Sequence, residues 1–360
     1  MTVKAIPFAI TAVFALVASG QTPADQSVEK VFHFTYTETP QSVQEIVNIM
    51  RSITEVPQAT VDNAARTMTL RGTANQLGLA GWLVPQLDRS APPTLQASQS
   101  PATLEYQLAG SRDGVARVFY PSHVGTPQAL QEMINAIRSI LEFQRAVAYN
   151  NLKAVVLRGT AEQIAAVEWL INGLDKPAGV QPVSSQSGSP AVIAYTFSDP
   201  SIDVRIDPRF RTPAVRVFYL THTPTPQAMQ ELVNSVRSLT DLQRVVACIG
   251  PRAIALRGTA DQVAMAEWLI NALDRPAAVS SASQSPATNP YQMSGSSDVA
   301  RVFYPHTSTP QELQEVLTLV RSTTHIQRLT YCSVPGALAL RGTVGQVALA
   351  EKLIQERDKP

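Results

Sequence analysis

The sequence has little of what nucleic-acid-binding and metal-binding proteins depend on. Lys plus Arg total 29 and Asp plus Glu total 28, so the formal net charge is +1. The basic surplus that is typical of proteins contacting phosphate backbones is therefore missing. Only two cysteines, Cys248 and Cys332, are present, which excludes a disulfide framework and a cysteine-rich metal site. No nucleophile motif, phosphate-cradling glycine loop or paired-carboxylate motif occurs, so we expect neither an enzyme nor a cofactor.

Long apolar runs are also missing, except near the N-terminus. Lys4 is the only charge in the first 24 residues, and residues 5–18 are apolar apart from Thr11. This run is shorter than the roughly 20 residues that span a bilayer, but it suits a secretory signal peptide. Small residues at 18–20 favour cleavage before Gln21, although a buried N-terminal helix is the alternative. We expect a leader over 1–20, a periplasmic or secreted mature protein, and no transmembrane segment after cleavage.

One pattern occurs four times along the chain. Leu-Arg-Gly-Thr lies at 70–73, 157–160, 256–259 and 340–343. Upstream of each copy are a Thr-Pro-Gln and an Arg-Ser, and an Asp closes each copy, at Asp88, Asp175, Asp274 and Asp358. Internal repetition at this level of detail indicates tandem structural units. We call them repeat 1 (28–90), repeat 2 (115–177), repeat 3 (213–276) and repeat 4 (298–360).

The third repeat shows the expected secondary structure most clearly. Residues 215–220 are β-branched and aromatic, which predicts a strand. Thr225 and Pro226 then provide an N-cap and a first helical residue, and apolar residues follow at helical spacing. Short strands over 244–249 and 253–257 flank a turn, and Thr259 with Gln262 forms a capping box that opens a second helix. The fold class is α+β, with four tandem β-α-β-β-α modules, each a three-stranded sheet with two helices on one face.

The segments between the repeats have a different composition. Residues 91–114, 178–212 and 277–297 are rich in Pro, Ser, Gln and Ala, which is typical of flexible or extended linkers. Within them, 106–108 and 291–293 resemble each other, and 192–197 is also apolar. A short extra strand is expected at each of these three places.

Residues that recur at one position are the candidates for a functional surface. The candidates for an interface are the arginines before Gly-Thr, the tryptophans of the second helix and the histidines before the first helix, namely Arg158, Arg257, Arg341, Trp169, Trp268, His123, His222 and His306. For the arginines, a solvated surface and a complementary interface both remain open. A position at the core edge is favoured for the tryptophans. A polar loop role is favoured for the histidines, because none has a second ligand at metal-binding spacing.

Cys248 and Cys332 occupy the same place in successive repeats. In an oxidising compartment they could form a disulfide, within the chain or between chains. The equivalent residues Tyr149 and Asp62 in the other two repeats favour the alternative, two half-buried strand residues.

The pattern resembles the short periplasmic N-terminal domains of bacterial secretins, the ring-forming outer-membrane channels of type II secretion and type IV pili. The residues that carry the likeness are 253–259 with Gln262, followed by 268–274, and they recur at 155–163 and 169–175. The resemblance implies modules without an active site, which pack side by side and bind protein partners in the periplasm. No β-rich channel domain follows the fourth repeat, so pore formation is not expected.

Composition and resemblance together predict a protein–protein assembly function. The expected partners are envelope machinery or further copies of the chain, and nucleic acid is not expected. The alternative is an array of KH-like nucleic-acid-binding modules, but the GxxG loop that such modules need is missing from the expected element.

Overall fold

The computed structural model describes residues 27–93, 102–177, 190–196, 214–276, 287–293, 295–305 and 309–358. These residues form four small antiparallel sheets and eight α-helices, so the fold is α+β as the sequence predicts. The expected leader over 1–20 and His306 lie outside the described residues. Among the described residues, no helix has the length and apolar character needed to cross a membrane.

The same order of elements, strand-helix-strand-strand-helix, occurs in each repeat. Repeat 1 comprises β1 (Val28–His33), α1 (Pro40–Ile49), β2 (Gln58–Asp62), β3 (Thr67–Gly72) and α2 (Ala74–Leu87). Before repeat 2 lies β4 (Ala102–Gln107), and the repeat itself comprises β5 (Val115–Tyr120), α3 (Pro127–Leu141), β6 (Ala146–Tyr149), β7 (Ala154–Gly159) and α4 (Ala161–Leu174). A π-helical turn, Met50–Thr54, continues α1.

Repeats 3 and 4 follow the same order. Before repeat 3 lies β8 (Ala191–Thr196), and the repeat comprises β9 (Ala214–Tyr219), α5 (Pro226–Thr240), β10 (Arg244–Cys248), β11 (Ala253–Gly258) and α6 (Ala260–Leu273). Before repeat 4 lies β12 (Tyr291–Gln292), and the repeat comprises β13 (Asp298–Phe303), α7 (Pro310–Thr324), β14 (Arg328–Cys332), β15 (Ala337–Thr343) and α8 (Val344–Arg357).

Threonine begins every helix of repeat 3, as predicted. The Thr225 hydroxyl accepts a hydrogen bond from the N–H of Ala228, and Pro226 occupies the first helical position. At the second helix, Thr259 accepts from the N–H of Gln262, while the Gln262 side chain accepts from the N–H of Thr259. Equivalent boxes open α2, α4 and α8. The free N–H groups of the first helical turn are satisfied in this way, so the helices start at fixed residues.

The sheets differ from the prediction in one respect. Repeat 1 has the expected three strands, in the order β1-β3-β2. The other three sheets have a fourth strand, because β4, β8 and β12 pair antiparallel with the first strand of the repeat that follows each of them. These are the extra strands expected in the linkers, and a three-stranded sheet is wrong for repeats 2–4.

The described residues divide into two compact units, one formed by those up to Leu130 together with Gln144–Ile164, and the other by Gln131–Phe143 together with those from Ala165 onward. In the second unit, the sheet of repeat 4 is covered on both faces. Phe303 and Leu338 pack with the helices of repeat 4 itself, whereas Val302 and Ala339 pack with the helices of repeat 3. Sheets with two buried faces have near-continuous apolar strands, and all of β15 from Ala337 to Leu340 is buried.

Candidate functional site: the junctions between repeats

The side of the sheet that faces the preceding repeat is the place where recurring residues converge. We call it the outer sheet face, and in repeat 4 it consists of Ala300, Val302, Tyr304, Arg328, Cys332, Ala337, Ala339 and Arg341. The helix surface that receives it on the preceding repeat is the outer helix face. A junction is one outer sheet face packed on one outer helix face.

The arginine before Gly-Thr is buried in each junction. Its guanidinium donates to a main-chain carbonyl at the end of the first helix of the preceding repeat. The donors Arg158, Arg257 and Arg341 lie 3.0, 3.3 and 2.8 Å from the carbonyl oxygens of Ile53, Ile140 and Leu239. These side chains are 9, 4 and 9% exposed. A cation at this place is favoured because the last carbonyls of a helix have no intrahelical partners and carry partial negative charge.

An acidic residue follows the first helix and pairs with the same arginine. Glu55, Glu142 and Asp241 all have left-handed backbone conformations, with φ of 58°, 53° and 59°. Their carboxylates lie 3.3, 3.7 and 2.9 Å from Arg158, Arg257 and Arg341. A second arginine, at the start of the hairpin, binds the same carboxylate in each junction: Arg145, Arg244 and Arg328. Desolvation, with a smaller contribution from Arg257, lowers the pKa of Arg244.

A glutamate of the first helix binds the hairpin turn of the next repeat. Its carboxylate accepts a hydrogen bond from the main-chain N–H of the residue that directly follows the second strand of that repeat (β6, β10 or β14). The acceptors Glu45, Glu132 and Glu231 lie 3.0, 2.9 and 2.7 Å from the nitrogens of Asn150, Ile249 and Ser333. The side chains of Asn150 and Ser333 donate to the same carboxylates. Since a main-chain N–H is the shared donor, the residue type in the turn is free to vary.

A tyrosine closes the other end of each junction. Tyr120, Tyr219 and Tyr304 donate their hydroxyls to the carbonyls of Gln86, Gly173 and Ala272, all at 2.8 Å. Each carbonyl lies two residues before the Asp that closes the preceding repeat. Burial raises the pKa of all three phenols to about 12. The neutral hydroxyl is therefore the form that the folded chain holds.

The apolar centre of a junction consists of small and β-branched side chains. In the first unit, Val118, Ala154 and Val156 of repeat 2 belong to one buried cluster with the helices of repeat 1. In the second unit, Val302 and Ala339 of repeat 4 pack with the helices of repeat 3. Small side chains let helices and sheet approach closely, so the arginines before Gly-Thr are held with less than a tenth of their side chains exposed.

The predicted tryptophans lie beside the linker strands. Trp169 contacts Tyr195 with ring centroids 5.3 Å apart, and Trp268 contacts Tyr291 at 5.2 Å. Trp82 forms the same tilted pair with Tyr106. The contact between the two rings stabilises each pair in addition to the stabilisation that comes from burying their apolar area. The second helix of one repeat is thereby attached to the edge strand of the next.

The histidines and cysteines occupy other places. His123 is exposed, and the N–H of His222 donates to Asp274 at 2.8 Å within its own repeat. Cys248 and Cys332 are both free and buried, so no disulfide joins them within the chain. Cys332 lies 3.3 Å from the Ser235 hydroxyl. Among the described residues, no three His, Cys, Asp or Glu side chains are grouped so that they could hold a metal ion.

The tyrosines and the acidic residues after the first helix are among the parts of the junction that are missing from the predicted candidates. The tyrosines stand in the Val-Phe-Tyr motif that opens repeats 2–4, and the acidic residues follow each Arg-Ser at one fixed spacing in repeats 1–3. Both signals are visible in the sequence. Spacing alone does not reveal that the tyrosine and the acid contact different neighbouring repeats, and this is why they could not be grouped into one site.

The junctions define a class of α+β protein in which tandem units are joined by sheet-to-helix packing. The structure resembles the N-terminal domains of secretins. It matches that of XcpQ from Pseudomonas aeruginosa at 14% identity and a TM-score of 0.18, covering 42% of this chain and 63% of the other. It matches Aeromonas hydrophila ExeD at 14% identity and a TM-score of 0.15, covering 69% and 41%.

A third match is the secretin complex of enterotoxigenic Escherichia coli, described as the pilotin–secretin AspS–GspD complex, at 11% identity and a TM-score of 0.15. The chain spans less than two thirds of the length of these structures. No protein-family profile matches the sequence, and no curated protein matches it.

Proposed function

We propose that this chain is an exported, non-enzymatic assembly protein built from four tandem β-α-β-β-α modules and accessory to an envelope secretion or pilus machine. The observation that carries the proposal is the use of the recurring residues. The arginine, acid, glutamate and tyrosine positions that repeat along the chain serve contacts between neighbouring repeats. A chain that devotes its recurring polar residues to holding modules together is suited to presenting an extended surface to protein partners.

The proposed partners are proteins of the envelope, with further copies of this chain among them. Modules of this size have small cores, so packing against neighbours adds much of their stability. The periplasmic or secreted location rests on the leader expected over 1–20, and cleavage before Gln21 can be read from the N-terminal sequence of the mature protein.

The KH-like alternative is disfavoured by the position of the arginines. Arg158, Arg257 and Arg341 have less than a tenth of their side chains exposed and donate to main-chain carbonyls. Arginines held in this way are not available to neutralise phosphates, which supply most of the affinity in nucleic-acid binding.

The experiment is site-specific photo-crosslinking in the native bacterium. A photoreactive residue is placed at Val192, which is 37% exposed on β8, and the matched control is the same protein expressed without residues 1–20. The proposal predicts adducts with components of one envelope complex, and their loss in the control. Adducts confined to cytoplasmic proteins, or retention of RNA by the purified chain at low salt, would contradict it.

A further inference from the structure

The residues that build a junction are changed on the two faces that no neighbouring repeat covers among the described residues, the outer sheet face of repeat 1 and the outer helix face of repeat 4. Because the strands pair in the same register in both sheets, each position of repeat 1 has an equivalent position in repeat 4. Comparing the faces position by position therefore shows which parts of the junction each one keeps.

The outer sheet face of repeat 1 has lost its apolar centre. Thr67 and Thr69 stand where repeat 4 has Ala337 and Ala339. Val31, at the middle of β1, is 47% exposed, whereas its counterparts Val118, Val217 and Val302 are fully buried. Four further positions of this face carry polar or charged residues in place of Ala300, Tyr304, Arg328 and Cys332, namely Glu29, His33, Gln58 and Asp62. A sheet with one solvated face shows this alternation of apolar and polar residues.

The outer helix face of repeat 4 has changed as well. Thr323 is exposed where Ile53, Ile140 and Leu239 are fully buried. In the second helix, Lys352 replaces the tryptophan, and Arg357 replaces the leucine found at Leu87, Leu174 and Leu273. Leu349 is 41% exposed, whereas its counterparts Leu79, Ala166 and Met265 are at most 1% exposed. Glu315, by contrast, keeps the residue type of Glu45, Glu132 and Glu231.

The charge complementarity of a junction is also missing at these two faces. His325 occupies the left-handed position that is acidic in repeats 1–3, and in a junction it would meet Arg71, the counterpart of Arg341. Glu315 would meet the β2 hairpin, where Asp62 stands in place of Cys332. An arginine left without its acid and a carboxylate facing another carboxylate both disfavour docking, and such mismatches are a common means of suppressing a wrong partner.

We infer that the outer sheet face of repeat 1 and the outer helix face of repeat 4 are end caps, which keep two copies of this chain from docking head to tail. Head-to-tail contacts between identical chains produce open filaments unless the rotation closes a ring. A chain with three internal junctions carries the means to polymerise in this way, and the caps remove it. Copies of the chain that assemble do so through other surfaces. This inference goes beyond the proposed function, because it concerns self-association and not the envelope partner.

The test restores the junction residues at both ends of the full mature chain. The sheet-face variant carries His33→Tyr, Gln58→Arg, Asp62→Tyr, Thr67→Ala and Thr69→Val, which are the residues of repeat 2 at the equivalent positions. The helix-face variant carries Thr323→Leu, His325→Asp and Arg357→Leu. For the doubly restored chain, the average molar mass from light scattering is expected to rise with protein concentration to at least about twice that of the wild type. Each singly restored chain is expected to have the same mass as the wild type.

An unchanged mass for a doubly restored chain that retains its circular dichroism spectrum would overturn the inference. A second measurement does not depend on these variants folding. Val31→Glu and Leu349→Glu are placed in the otherwise wild-type chain, and neither is expected to change its mass at any concentration. A fall in mass with either substitution would mean that copies already dock head to tail. Neither result bears on whether crosslinking from Val192 captures an envelope complex, so the two proposals fail separately.

Discussion

At the residue scale, the buried hydroxyl of each junction tyrosine contributes to the stability of the fold. Tyr120, Tyr219 and Tyr304 each donate one hydrogen bond to a carbonyl near the end of a helix. Such a carbonyl has lost its contact with water and has no intrahelical partner, so the phenol is its replacement. Leaving a buried acceptor without a donor costs more than the bond itself contributes.

Tyr219→Phe is therefore expected to lower the free energy of unfolding by about 1–2 kcal/mol, because the Gly173 carbonyl stays buried without a donor. Urea denaturation followed by circular dichroism measures this. Tyr36→Phe is the matched control, since Tyr36 is 53% exposed, and it is expected to have no measurable effect. A loss in Tyr219→Phe no larger than that in Tyr36→Phe would contradict a stabilising role for the buried hydroxyl at 219.

The same tyrosines predict a dependence of stability on alkaline pH. Their pKa in the folded chain is raised from 10 to about 12 by burial. A raised pKa means that the contribution of the phenol to stability is complete below pH 10 and is lost as the pH rises toward 12. The free energy of unfolding is expected to fall over this range, and to fall less steeply in Tyr219→Phe, when urea midpoints are compared from pH 9 to pH 12.

The two thiols are expected to be chemically inert in the folded chain. Burial raises the pKa of Cys248 and of Cys332 to about 12, and the thiolate is the reactive form. Iodoacetamide at pH 8 should leave both unmodified by mass spectrometry and should alkylate both in denaturant. The positive control is Leu349→Cys, at an exposed position. Rapid alkylation of Cys332 without denaturant would contradict the burial of the repeat 3–repeat 4 junction.

At the scale of the elements, the arginine before Gly-Thr lies in an interface in repeat 3 and at the surface in repeat 1. Arg257 is buried between the end of α3 and the acid Glu142, whereas its counterpart Arg71 is exposed and donates to Ser27. The two residues have the same neighbours in sequence, Leu before and Gly-Thr after. Any difference in their energetic effect therefore comes from the preceding repeat.

Arg257→Met keeps the aliphatic stem and removes the charge. It is expected to cost about 2–3 kcal/mol, because the Ile140 carbonyl loses its donor and Glu142 loses a partner. Arg71→Met should change stability by less than about 0.5 kcal/mol, as is usual for exposed positions. Chemical denaturation of both variants provides the comparison, and similar losses would mean that the arginine acts only within its own repeat.

The elements themselves could be predicted from the sequence because local signals define them. Thr225 with Pro226, and Thr259 with Gln262, place the helix starts of repeat 3 at the residues where the structure has them. The linker strands β4 and β12 could be expected from 106–108 and 291–293, but not their pairing with the first strand of the next repeat. That pairing depends on an exposed strand edge elsewhere in the chain, which is a property of the folded sheet.

Which residues come together at a junction was harder to predict from the sequence than the helices and strands themselves. The sequence left the arginines open between a solvated surface and an interface, since periodic charges fit both. The structure places Arg158, Arg257 and Arg341 in the junctions because the residues they meet, a carbonyl and a left-handed acid, belong to the previous repeat. Contacts between repeats leave no local pattern within either repeat, so they could not be inferred from spacing.

At the scale of the whole molecule, stability is expected to follow the logic of repeat proteins, in which each unit is stabilised chiefly by its neighbours. The three junctions use one set of contacts: a buried arginine, a glutamate on a turn N–H and a tyrosine on a helix-end carbonyl. The central claim is that these recurring residues hold the repeats together. Glu45, Glu132 and Glu231 offer a way to observe this without altering the chain.

Hydrogen–deuterium exchange resolved to single amides tests that claim most directly. The turn amides of Asn150, Ile249 and Ser333 donate to a glutamate of the preceding repeat, whereas Asn63, their counterpart in repeat 1, is exposed. The first three are expected to exchange slowly and Asn63 at close to its unprotected rate. In Glu231→Ala, Ser333 alone of the three should lose most of its protection, and Glu315→Ala should change none of them. Equal exchange at all four turns in the wild-type chain would contradict the account.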